Sequence, residues 1–161
     1  MEKSLSLEEI LQQVQLAFRD GPPNGWILDW DLHRYFSEIE EAAAPYPVIN
    51  YTSFDYSYCN HFQIHDDSEG WHFFLTILVS FITPVYSMHW TRLRNQTGAV
   101  VLRPPAQYAA LENKIAAKLK DLGLMDFPLD WSEVKVEGVH LELSKPEDAT
   151  LGKFLFQDFD G

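Results

Sequence analysis

The stretch Tyr58–Phe74, YCNHFQIHDDSEGWHFF, decides the fold. Its apolar residues Tyr58, Phe62 and Ile64 fall on even positions, whereas Cys59, His61, Gln63 and His65 fall on odd ones. A period of two marks a half-buried strand. Upstream, Phe54 and Tyr56 keep the even register, so the strand reading extends back to about Val48. The cluster DDSEG makes a turn. Trp71–Ile82 follows, apolar on nearly both faces, which suits a central strand. Pairing Ile64 near Phe73 gathers the apolar side chains on one face and makes His61, His65 and His72 neighbours on the other.

Outward from this hairpin the punctuation is clear. Pro84 closes the second strand, Val85–Leu93 forms a third, and Ala99–Leu102 a short fourth after the turn NQTG. Before the sheet, Ser6 and Glu9 make a capping box ahead of Leu7, Ile10, Leu11, Val14 and Phe18 at helical spacing. A second amphipathic stretch covers about Asp31–Ala43 and ends at Pro45 and Pro47. A third helix is predicted over about Pro105–Leu122, with Gly123 as its stop. In EVKVEGVHLELS the alternation changes parity at Glu137-Gly138, which predicts a tight hairpin or a bulge. Phe154–Phe156 is expected to add one last short strand. The sum is a single α+β domain over residues 1–161, with an antiparallel sheet of about five to seven strands flanked by about three helices.

Composition narrows the function classes. A hydrophobic share of 46% and an aromatic share of 14% supply a core and exclude a disordered chain. The single cysteine, Cys59, rules out an internal disulfide and a cysteine zinc cage, and it fits a reducing compartment. Glu8 and Glu9 stand where an export signal needs an apolar core, and the run Phe73–Val79 is far shorter than the ~20 residues of a membrane span. A soluble cytoplasmic protein, away from membranes, is the expectation. Net charge is −12, with nine acids against Arg34 alone between Gly21 and Thr91. Nucleic acid is disfavoured as a partner, since phosphate contacts need clustered Lys and Arg. A basic protein would be steered toward such a field, although acidity also serves plain solubility.

The candidate sites are weighed on the same residues. His61, His65 and His72, with Asp66 or Asp67, carry the atom types of a zinc site but not its spacing signature, so no metal and no cofactor are assigned. Cys59 and His61 are ~7 Å apart along one strand face, too far for a dyad, and a buried thiol is the simpler role. No nucleophile elbow or phosphate-binding loop is present, so no catalytic residue is assigned. Trp26 and Trp30 stand among Asp29, Asp31, Glu38 and Glu41, a mixture that suits an interface hot spot and equally suits packing of the second helix onto the sheet. The acidic tip Asp66, Asp67 and Glu69 is expected to join that surface.

These features together resemble the immunity proteins of bacterial polymorphic-toxin systems. The residues that carry the likeness are WILDWD from Trp26, HFQIHDDSEGWHFFLTILVSF from His61, and the closing LGKFLFQDFDG. The likeness is one of type across the whole chain and gives no single residue a role. It implies an antitoxin that binds a cognate toxin, expected to be basic, without catalysis. The alternative is a small α+β enzyme or ligand-binding domain whose aromatic pocket draws on Phe54, Tyr56 and Tyr58.

Overall fold

The computed structural model describes residues 4–95, 97–101 and 105–158. Its centre is the hairpin of β2 (Cys59–Ser68) and β3 (Trp71–Ser80). Ser68 and Trp71 close a two-residue turn in which Glu69 and Gly70 both have positive φ, 52° and 83°. That is the turn geometry whose twist matches the strands. The pairing sets Ile64 opposite Leu75, two residues along from the register expected, so the apolar side chains still share one face.

With β1 (Val48–Asn50), β4 (Val85–Arg94), β5 (Thr97–Val101) and β6 (Met125–Asp126), the sheet has six strands among the described residues. Its order is β1-β2-β3-β4-β5, antiparallel throughout, with β6 parallel to β4 at the end β5 leaves uncovered. The sheet is open, β3 is central, and the α+β class and strand number follow the sequence. The expected fourth strand corresponds to β5, and Leu102 lies outside the described residues.

Among the described residues four α-helices cover the sheet: α1 (Leu7–Ala17), α2 (Phe36–Ala43), α3 (Ala109–Asp121) and α4 (Leu151–Leu155). The capping box opens α1, with Glu9 N–H donating to Ser6 Oγ at 3.1 Å and Ser6 N–H to Glu9 Oε1 at 3.4 Å. One face of the sheet, carrying Phe62, Ile64, Leu75, Ile77 and Trp90, packs on Ile39 of α2 and Leu111, Ile115 and Leu119 of α3. The opposite face meets α1 and the C-terminal segment only toward one end, around Cys59 and Leu78. The rest of that face stays open.

Four sequence expectations need correction. The expected helix from Asp31 starts only at Phe36, because Asp29 and Tyr35 take positive φ and the chain before them runs as turns. The expected long first strand is interrupted, since 51–58 is loop with Tyr56 at φ 53°. The 133–144 segment is not a hairpin. Its Val136, Val139 and Leu141 are buried, but its one sheet-like contact is the bridge of Lys135 with Thr150. Phe154–Phe156 is not a strand, because Leu151, Phe154 and Leu155 take the i, i+3, i+4 spacing of α4 and are all buried.

The segment without a ladder satisfies its backbone otherwise. The fully buried carboxylate of Asp158 accepts from Leu143 N–H at 2.6 Å, Ser144 N–H at 3.1 Å and Ser144 O–H at 2.7 Å. Replacing Asp158 by Ala strands these donors, and the expected loss is about 2–3 kcal/mol of unfolding free energy. Urea denaturation of the two proteins measures it. An unchanged midpoint would remove Asp158 from the account.

Candidate functional site

The stretch NGWILDWD from Asn24 folds as a fixed loop. Asn24 Oδ1 accepts from Ile27 N–H at 2.8 Å, and Gly25 C=O accepts from Trp30 N–H at 2.8 Å. Gly25 is obligatory for a steric reason: a Cβ there would lie 2.1 Å from the ring of Phe54. Trp30 anchors the loop. Its indole N–H donates to Asn60 Oδ1 at 2.8 Å, its ring lies 4.8 Å from that of Phe81, and Arg34 sits 4.5 Å over it. Asn60, wholly buried, returns its amide to Leu32 C=O at 3.3 Å and Thr52 Oγ1 at 3.4 Å.

The anchored loop turns other apolar groups outward. Trp26 is 65% exposed and Ile27 71%, although the Trp26 ring is braced edge-on against Phe54. Asp29 and Asp31 are exposed beside them, and Asp31 accepts the backbone N–H of His33 at 2.9 Å. Glu38, half-buried, and Glu41, exposed, follow on α2. Trp30 is thus an anchor, while Trp26 is the presented aromatic.

The acidic turn belongs elsewhere. Asn60 and Ser68 are eight residues apart on β2, about 26 Å at ~3.3 Å per residue, so the structure does not bring Asp66, Asp67 and Glu69 to the Trp26 loop. Asp66 and Asp67 also point to opposite faces. Asp66 accepts the Tyr108 O–H at 2.6 Å, and burial followed by this bond pushes the phenol up to about 12. Asp67 is on the open face, and Glu69 is exposed in the turn.

On that open face the imidazoles form a line. Asp67 Oδ1 accepts from His72 Nδ1 at 2.5 Å, and His72 Nε2 lies 2.7 Å from His65 Nδ1. His65 Nε2 lies 2.8 Å from Gln63 Oε1, and the Gln63 amide nitrogen 3.2 Å from His61 Nε2. A line is not a cage. Among the described residues no three His, Cys, Asp or Glu side chains converge to hold a metal ion.

His89, which the sequence reading missed, joins the same face, and its signal was the alternation Ser87, His89, Thr91 on β4. Burial pushes His61, His65 and His89 below the usual imidazole range, and a neighbouring imidazole adds to this at His61 and His65. His61, Thr76 and His89 floor a groove of 960 Å³ whose far wall includes Phe127, Lys153 and Phe156. Phe54, Tyr56 and Tyr58 do not line it.

Comparison with protein families, with curated proteins and with solved structures finds no match. Among the described residues no helix is long and apolar enough to cross a membrane.

Two measurements probe this chemistry. Cys59 is fully buried and its thiol is pushed up to about 12, chiefly by burial, so a thiol-disulfide reagent should label it only on unfolding. Rapid labelling of the native protein would contradict that placement. The depressed imidazoles also set a sign. The unfolded chain takes up their protons first, near pH 6.5, so their contribution is complete above that value and is lost as pH falls through the folded values. Urea midpoints should therefore fall between pH ~7 and ~5.5, and His89→Gln should flatten the dependence. A slope unchanged by His89→Gln would exclude that ring as a contributor.

Proposed function

We propose that this chain is a non-catalytic inhibitor of the immunity type, which captures a basic toxin protein in the cytoplasm through the Trp26–Asp31 loop. The observation that supports it most directly is the fixed presentation of Trp26 and Ile27 to solvent. A large ring braced by Phe54 and held by the Asn60 anchor loses little freedom on binding, which is what an interface hot spot requires. Asp29 and Asp31 beside it, in a chain of net charge −12, supply the field that speeds capture of a cation-rich surface.

The test is co-expression with a candidate basic toxin, followed by binding kinetics on the purified pair. Trp26→Ala should weaken the complex by roughly thirtyfold or more, mainly through faster dissociation. Asp29→Lys with Asp31→Lys should slow association and reduce its salt sensitivity. Protection and affinity that survive both sets of changes would discard this surface.

The ligand-binding alternative has its own support in the histidine-floored groove, whose neutral imidazoles and hydroxyls suit an uncharged polar molecule. A small molecule retained in native mass spectrometry, and lost in His89→Gln, would favour it. The absence of any retained mass would leave the groove without an occupant and weigh for the inhibitor.

A further inference from the structure

At the hairpin end of the sheet, on the face that α2 and α3 cover farther along, Arg92 and Arg94 both lie over one indole. Their guanidinium carbons stand 4.8 and 5.2 Å from the Trp71 ring. The register explains the meeting, since Trp71 follows directly from the His72–Leu93 pair and so stands beside Arg94, while Arg92 comes two residues earlier on the same face. Same-face neighbours on a strand are only ~7 Å apart, so two like charges are held side by side.

Neither has a carboxylate within salt-bridge reach among the described residues. This is notable in a chain with 24 acids and 12 Lys and Arg. Two of the three hairpin acids are otherwise held, and Glu69 is in the turn itself. Asp66 shares the face but is taken by the Tyr108 hydroxyl, and it is separated from Arg92 by the intervening Phe73. Asp67 lies on the opposite face, against His72.

A cleft of 340 Å³ opens over this pair, lined also by Asn95, Thr97 and Gly98. Stacking occupies the flat side of a guanidinium and leaves its in-plane N–H fork free for an oxyanion. An anion bridging both forks would relieve their mutual repulsion as well as gain charge-assisted hydrogen bonds. The Thr97 hydroxyl and the Asn95 amide add neutral donors at the rim. The volume is at the small end for ligand pockets, which fits a small molecule rather than a polymer.

We infer that the Trp71–Arg92–Arg94 cleft binds the terminal oxyanion, phosphate ester or carboxylate, of a small molecule. This site is separate from the Trp26 loop and does not rest on the inhibitor reading. The experiment follows the arginine side-chain N–H resonances of the full chain by NMR at low salt. Inorganic phosphate, phenyl phosphate and succinate are titrated in parallel arms, with sodium chloride at matched ionic strength as the reference.

The expected result is a saturable shift of the Arg92 and Arg94 signals beyond the chloride reference in at least one arm. A response to the phosphates alone assigns the phosphate class, and a response to succinate alone assigns the carboxylate class. Arg92→Gln or Arg94→Gln should each weaken binding roughly tenfold or more, and Arg→Lys at either site should recover only part of it. Thermal melts establish that these exposed-site variants keep the fold. No saturable shift in any arm, or shifts equal to those with chloride, would overturn the assignment. Equal affinity in the folded Arg→Gln variants would do the same.

Discussion

β3 alternates between two cores. Phe73, Leu75, Ile77 and Val79 face α2 and α3, while Leu78 faces α1 and the C-terminal segment. A strand buried on both sides must be covered twice, and each covering layer must itself be apolar where it touches. The first layer is complete. The second extends only as far as the apolar side chains do, and beyond Leu78 that face turns to Thr76, His65 and His72. The groove and the line of imidazoles exist because the second layer stops there.

The same constraint fixes the loop that carries Trp26. At the covered end of β2 the polar Asn60 is fully buried, and its amide must be satisfied from outside the sheet. Trp30, Leu32 and Thr52 meet that need, so the loop is tied to the sheet by hydrogen bonds that also bury half of an indole. An aromatic held in this way can brace a second one, Trp26, through Phe81 and Phe54. Binding potential here arises from how the core is completed.

What the sequence disclosed was local or periodic. The capping box at Ser6, the turn in DDSEG and the central place of β3 follow from near neighbours and alternation. The hairpin expected in 133–144 shows where that reading ends. Val136, Val139 and Leu141 are apolar because they enter one core, but a ladder needs a partner strand, and the Asp158 carboxylate accepts the backbone N–H groups of Leu143 and Ser144 instead. Trp26 was legible as a candidate from its acidic company. The anchor at Asn60 was not, because nothing near Asn60 in sequence marks it as the acceptor for an indole thirty residues earlier. The separation of Asp66 from Asp67 was implicit in strand parity, yet their common charge invites grouping them.

The imidazole line is coupled from end to end. Contacts run from Asp67 through His72 and His65 to Gln63 and His61, and the Gln157 amide nitrogen meets the other His61 ring nitrogen at 3.3 Å. A neutral ring passes a hydrogen bond on by accepting at one nitrogen and donating at the other. A change of tautomer at one ring therefore obliges its neighbour to exchange donor and acceptor roles, and the Gln63 carboxamide between His65 and His61 to turn over. The tautomer of His61 is set between two amides, that of Gln63 at Nε2 and that of Gln157 at Nδ1. This sheet face is a row of coupled two-position elements, in which the orientation of each ring or amide constrains the next.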